Sequence, residues 1–193
     1  MTQPAKPDSH ADTRLAALTR IALLMIGRAE KRLGVGLDHT RHIARTDLKL
    51  LTRYNRLFGF LDPNRNCPKQ AYHTARLRGA LAADCGTCVE AEMNLARRAK
   101  LPDALIAAIL RGEGLPDDLA AVVALADATT RDRGDDSAAR EAVRAAYGDA
   151  GLIELAYAMN GAALLPGIKR AMGDATACDL DMMRRVQRKD GSA

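Results

Sequence analysis

Two cysteines, Cys85 and Cys88, stand three residues apart in the run Ala83-Asp84-Cys85-Gly86-Thr87-Cys88-Val89-Glu90-Ala91-Glu92. On a helix, residues three and four apart share one face, so Cys85, Cys88 and Glu92 form a single stripe. Thiols at this spacing can close a disulfide with little backbone movement, and an acid-base pair within reach could set their protonation. That is the outline of redox chemistry. His73 lies twelve residues before Cys85, one apolar segment upstream, and is the histidine nearest the cysteines in sequence. With Asp84 as N-cap, Cys85 would sit in the first helical turn, where the macrodipole favours its thiolate. Glu92 works the other way, because a nearby carboxylate raises a thiol pKa. A cationic or hydrogen-bonding partner is therefore required.

The elements that must position these groups read as helices. From Asp12 to Leu33, apolar residues recur at helical spacing, and Gly34 and Gly36 end the run. A second helix is predicted from about Thr46 to Phe58. Gly59 to Pro68, with its Gly, Pro and Asn residues, reads as a loop. Pro68 opens a helix to about Ala83, and another runs from Cys85 to Lys100. Pro102 and Pro116 mark two restarts, since proline suits a first helical turn. Arg131 to Asp136 is a charged loop with Ser137 as N-cap. Tyr147-Gly148-Asp149 is a further stop, and a last helix is predicted over Asp174 to Lys189. No segment reads as a strand. Residues 1–11 are polar and read as a disordered tail, leaving 12–193 as one all-α domain.

Composition narrows the function classes. The 193 residues are 48% hydrophobic but only 3% aromatic, with no Trp, which suits helix packed on helix. The net charge is +5 and the pI near 9.2. The basic residues are scattered among acids without interleaved aromatics, which suits solvated helix faces better than a nucleic-acid surface. A membrane span needs about 20 apolar residues, and no stretch is read as approaching that. Four cysteines in a chain of this length do not make a secreted disulfide framework, so a cytoplasmic, reducing setting is expected. Cys67, Cys178 and His73 supply no second close ligand pair to complete a zinc site with Cys85 and Cys88. There is no phosphate-binding Gly-rich loop, and no metal or organic cofactor is implied. Cys67 has no expected role and Cys178 reads as a buried small hydrophobe, while His10, His39 and His42 read as surface residues.

The CxxC run, an ionisable group four residues later, and Asn94-Leu95-Ala96-Arg97-Arg98-Ala99-Lys100-Leu101-Pro102 together resemble the alkylhydroperoxidase D and carboxymuconolactone decarboxylase superfamily. In its redox-active members a glutamate precedes the CxxC pair by twelve residues and a histidine follows its second cysteine by four. Here His73 and Glu92 occupy those places, so the two relay residues are exchanged. The segments 151–160 and 167–173 resemble the second half of the same helical unit. Glu154 lies twelve residues before Pro166, which suggests an internal pseudo-repeat without its cysteines. The resemblance covers about residues 45–175, and the first helix is an addition to it.

What the resemblance implies is an AhpD-like helical bundle acting as a thiol-dependent peroxidase or disulfide reductase. Its substrate would be a hydroperoxide, its reductant a dithiol of protein or lipoyl type, and its assembly a homotrimer or homohexamer. The macrodipole favours Cys85 as the attacking thiol. The relay and the resemblance favour Cys88, which is taken here as the attacker with Cys85 resolving. His73 would accept the thiol proton and Glu92 would orient the imidazole. A decarboxylase role is disfavoured, since that branch lacks the CxxC pair. The alternative is a non-catalytic helical oligomeric binding module in which the cysteines form only a redox-switch disulfide.

Overall fold

In the computed structural model, which describes residues 9–61 and 66–174, the chain is all-α. The helices are α1 (Ser9–Leu33), α2 (Asp38–Thr46), α3 (Leu48–Leu61), α4 (Lys69–Ala82), α5 (Gly86–Arg98), α6 (Asp103–Arg111), α7 (Asp117–Ala126) and α8 (Ser137–Ala171). A short π-helical turn, Asp127–Arg131, follows α7. Of the helix predicted over Asp174–Lys189 all but Asp174 lies outside the described residues, and so does Cys178. Residues 1–8 of the expected tail lie outside them too, and Ser9 to Ala11 already belong to α1.

Helix α4 is the axis of the molecule. Every residue from Ala71 to Gly79, and Ala80 after it, is buried. One side meets α7 and α8 in a core of Ala71, Ala75, Val122, Leu125, Val143, Leu155 and Met159. The other meets α5 and α6 through Leu77, Ala80, Val89, Met93, Ile106 and Ile109. Ala71, Ala75 and Gly79 repeat every four residues, so small side chains line one ridge and let α8 come close. At Gly79 a Cβ would lie 2.1 Å from the Met159 carbonyl oxygen, so the contact is backbone against backbone.

A helix buried all round must pair its polar groups. The Arg78 guanidinium chelates the Asp127 carboxylate and donates to the carbonyls of Ile109 and Leu110. It thereby ties α4 to the π turn and to the end of α6.

Pro68, Pro102 and Pro116 are the N-caps of α4, α6 and α7, as their positions predict. Asp136, not Ser137, caps α8, its Oδ1 accepting from the Ala139 amide at 2.9 Å. Gly148, at φ 70° and ψ 178°, breaks α8 where the stop is predicted. An 18-residue window of α8 has mean hydropathy 1.2, enough by length and composition to cross a membrane, contrary to the sequence expectation. A core helix passes the same test, and here Leu155, Ala158 and Met159 lie in the core with α4 and α7.

The main difference from expectation is α2. Its nine residues hold few apolar side chains, and its buried face is His39, Thr40 and Ala44. The helical period of α2 is carried by its charged residues and not by a repeat of apolar ones, so a search for apolar spacing passes over it. Asp47, in an extended conformation, separates α2 from α3 and accepts the Lys49 amide at 2.7 Å. The third, smaller core of Ile26, Ala44 and Leu51 joins α1, α2 and α3. Asn94 of α5 donates to the Leu33 carbonyl at 2.8 Å, fastening the end of α1 over α5.

Candidate functional site

The cysteines occupy the tight turn from α4 into α5. Asp84 does not cap α5: it takes a left-handed conformation, φ 50°, as the pivot of the turn. Cys85 is the N-cap, one position earlier in the helical frame than expected, and its carbonyl accepts from the Cys88 and Val89 amides. Arg170 of α8 donates to the Ala83 and Asp84 carbonyls at 2.8 and 3.1 Å and holds the turn from outside.

The two sulfurs are 2.7 Å apart and share a hydrogen bond. Neither is in a disulfide. Cys85 is fully buried, whereas Cys88 is partly open. The cation at the sulfurs is Lys169, on the last turn of α8, where the sequence reading looks to His73 for the partner. Its Nζ donates to Thr87 Oγ1 at 2.8 Å and lies 3.7 Å from Cys85 Sγ and 3.6 Å from Cys88 Sγ. The Cys85 thiol is pulled down to about 5, first by the hydrogen bond from Cys88, with Thr87, the Cys88 amide and the Lys169 charge acting the same way against burial. Cys88 is pushed up, chiefly because it supplies that hydrogen bond and is itself desolvated. The opposed shifts describe one proton held between two sulfurs beside one cation.

Glu92 lies one turn beyond Cys88 and is buried. Both its oxygens are taken by Arg76 of α4, with Nε and Nη2 donating at 2.7 and 2.6 Å. Arg76 also donates to the Tyr72 hydroxyl at 3.1 Å. The carboxylate that would oppose thiolate formation is thus neutralised by its own guanidinium. His73 is buried, edge-on to the Tyr72 ring at 5.3 Å, and its Nδ1 has no hydrogen-bond partner. Burial lowers its pKa, with the Glu92 charge acting in the opposite direction. Glu92 therefore reaches His73 by its field, while the hydrogen bonds of the carboxylate go to Arg76.

Cys88, Thr87, Lys169, Arg76 and Glu92 line one end of a cavity of about 370 Å³. Its remaining wall is mostly apolar and comes from Ala22, Met25 and Ile26 of α1, Leu51 and Phe58 of α3, Leu95 of α5, and Ala162 and Leu165 of α8. Met25 is 63% exposed, so the cavity opens past α1. A concave apolar chamber with a few converging polar groups is the usual form of a small-molecule site. His39, Thr40 and Tyr54 also line it. His39 is 3% exposed, a correction to its reading as a surface residue. His42 is exposed, with Nδ1 3.7 Å from an Asp174 oxygen.

Cys67 is remote from this chamber. Burial and the Glu154 charge push its thiol up to about 12, which leaves it unreactive. Glu154 accepts the Asn66 amide at 2.7 Å. Pro166, its suggested pseudo-repeat counterpart of Cys85, lies inside α8 and not at a helix start. Among the described residues no group of three His, Cys, Asp or Glu side chains gathers as a metal site.

Sequence reasoning did not identify Lys169, Arg76, His39 or Tyr54 as site residues. Lys169 falls within the 167–173 segment of the resemblance, but its meeting with the thiols depends on how α8 crosses α4. Comparison with family models, curated proteins and solved structures finds no match to this chain.

Proposed function

We propose that the protein is a thiol-dependent oxidoreductase that reduces a hydroperoxide, or another two-electron oxidant, at the Cys85–Cys88 pair. The observation that carries this reading is two free thiols 2.7 Å apart, with one buried lysine within 3.7 Å of both, at the polar end of an apolar chamber. Structural cysteines need neither the cation nor the chamber. The resemblance to the alkylhydroperoxidase D superfamily points to the same chemistry.

Cys88 is the attacking residue, because it lines the chamber and Cys85 is fully buried. The shared proton moves to Cys85 across the sulfur contact, leaving the Cys88 thiolate beside Lys169. The thiolate attacks the terminal oxygen of R–O–OH. A sulfur–oxygen bond forms, the oxygen–oxygen bond breaks, and the alkoxide leaves and is protonated to the alcohol. Cys85 then attacks the Cys88 sulfenic acid, forming the disulfide, and its proton leaves with the displaced hydroxyl as water. An external dithiol restores both thiols by two exchanges and becomes a disulfide itself. Glu92, paired with Arg76, sets the field at His73. The imidazole is the base that the resemblance implies, and Lys169 is the cation that the geometry brings to the sulfurs.

The test is reaction of the reduced protein with one equivalent of cumene hydroperoxide, with products located by mass spectrometry in the wild type, Cys85→Ser and Cys88→Ser. The expected result is a rapid Cys85–Cys88 disulfide, sulfenic acid trapped on Cys88 in Cys85→Ser, and repeated turnover with dithiothreitol. Oxidation spread slowly over several cysteines would overturn the reading. A single round of disulfide formation without turnover would favour the redox-switch binding module.

A further inference from the structure

The chamber holds a second polar cluster, which comes from different helices than the thiols. His39 and Thr40 are on α2 and Tyr54 is on α3. All three are buried and line the same chamber as Cys88 and Lys169. His39 Nε2 is 2.9 Å from Tyr54 Oη and 3.0 Å from Thr40 Oγ1. The Tyr54 ring is fixed on two sides, edge-on to His39 at 5.7 Å and to Phe58 at 5.5 Å. A phenol this constrained in an otherwise apolar wall is more than packing, since a phenylalanine would fill the space without a polar atom to satisfy.

The redox chemistry leaves one requirement unmet. When the oxygen–oxygen bond breaks, negative charge passes from Cys88 to the departing alkoxide, and a proton must reach that oxygen inside a mostly apolar chamber. Lys169 is engaged at Thr87 and the sulfurs. Both oxygens of Glu92 are held by Arg76. Of the hydroxyls on the wall, Thr87 is bonded to Lys169 and Thr40 to His39, and the phenol of Tyr54 is the strongest acid of the three.

We propose that Tyr54, positioned by His39, is the proton donor to the departing oxygen of the peroxide. The inference rests on the redox reading above. In this arrangement His39 carries its proton on Nε2 and donates it towards Tyr54 Oη, which turns the phenolic hydrogen into the chamber. The alkoxide takes that hydrogen and leaves as the alcohol. Cys85 attacks the Cys88 sulfenic acid, and its proton leaves with the hydroxyl as water. The tyrosinate, held by the imidazole N–H, is restored to the phenol by a proton from water in the chamber. One proton thus travels from water through Tyr54 to the alcohol, and the hydroxide left behind balances the charge that the Cys88 thiolate carried.

The electrostatics run in the same direction. Burial, and then the Cys88 charge, push the Tyr54 hydroxyl up to about 12, so it is fully protonated before reaction. Burial, and then the Lys169 charge, bring His39 down to about 4, so the imidazole is neutral and supplies a single N–H. As Cys88 passes from thiolate to sulfenic acid its charge disappears, and Tyr54 becomes easier to ionise at the moment its proton is needed. A phenol is a stronger acid than an alcohol, so the transfer is downhill.

The experiment uses the reduced full-length protein and compares tert-butyl hydroperoxide with peracetic acid by stopped flow. Peracetic acid loses acetate, which needs no proton, whereas the alkyl peroxide loses an alkoxide. Tyr54→Phe is expected to slow the alkyl peroxide by about 100-fold, the lower end of what general acid catalysis contributes. The rate with peracetic acid and the rate of iodoacetamide alkylation are expected to stay within about threefold of the wild type on the same grounds. His39→Leu should show the same contrast in weaker form, and His39→Gln, which keeps a donor, should recover part of it. The His39 pair gives the answer independently if Tyr54→Phe does not fold. Equal losses with both oxidants, or no loss with the alkyl peroxide, would overturn Tyr54 as donor while leaving the redox reading in place. A wild type inert to both oxidants would overturn the two together.

Discussion

Replacing Lys169 with methionine removes a charge while keeping an unbranched side chain of similar length. The Nζ lies 3.6 to 3.7 Å from both sulfurs. At an effective dielectric of 20, two unit charges at that range interact by about 4 kcal/mol, or about 3 pKa units. That is a ceiling, because the Cys88 S–H and Thr87 hydroxyl also stabilise the thiolate and remain in the variant. We therefore expect the first thiol of Lys169→Met to titrate about 1 to 3 units above the wild type. Absorbance of the thiolate at 240 nm against pH gives the midpoint directly. Iodoacetamide alkylation gives it independently, with a deficit of up to about tenfold at pH 7 that closes by pH 10. At pH 4, where both thiols carry protons, the variant should be no less stable than the wild type in urea, because a buried cation without an anion contributes nothing favourable. A midpoint within 0.3 units of the wild type, or a deficit that persists unchanged at pH 10, would refute the assignment of Lys169 to the thiols.

Other outcomes follow from the same geometry. In Cys85 the folded pKa is lowered to about 5, below that of an unfolded thiol, so the reduced protein should gain stability as pH rises from about 5 to about 9. The slope is at most about 1.4 kcal/mol per pH unit for one proton, and urea unfolding of wild type against Cys85→Ser should show it vanish in the variant. Glu92→Gln leaves the Arg76 guanidinium buried beside a neutral partner and should cost about 3 kcal/mol or more in urea unfolding, with Arg76→Met plus Glu92→Leu recovering much of it. Gly79→Ala forces a methyl into the Met159 carbonyl and should cost about 1–3 kcal/mol, read as a lower thermal midpoint with little change in thiol titration. Loss of peroxide rate should be larger in Lys169→Met than in His73→Leu, since no bond from the imidazole Nδ1 reaches the pair. The reverse order in a stopped-flow comparison would restore His73 as the principal partner.

The helices that repeat apolar residues at 3.6 spacing were legible in the sequence, and so were the breaks made by Pro68, Pro102, Pro116 and Gly148. The chemistry-bearing pair was legible because three-residue spacing is local information. Residues that act across elements were not. Lys169 looks like any cation near a helix C-terminus until α8 is laid along α4. Arg76 sits in a helix whose small residues hide how deeply it is buried. His39 and Tyr54 come from α2 and α3, and α2 buries histidine and threonine where a pattern search looks for leucine. Asp84 resembles a helix cap in every local respect, and only the closeness of α4 to α5 turns it into a left-handed pivot. The need for a cationic or hydrogen-bonding partner beside the thiols could be derived from Glu92 alone, although the identity of Lys169 could not.

The lysine that serves the thiols is made long after them. Lys169 lies 84 residues beyond Cys85, on the last helix described. At 5–20 residues per second, a ribosome needs about 4 to 17 seconds to travel between the two codons. Throughout that interval the newborn cysteines lack their cation and the α8 wall of the chamber. Both arrive together when α8 docks on α4, so a chain stopped before Lys169 has the thiol pair and the hydrogen bonds of its own turn but neither the charge nor the enclosure. The late arrival of one helix therefore sets when the pair meets its cation.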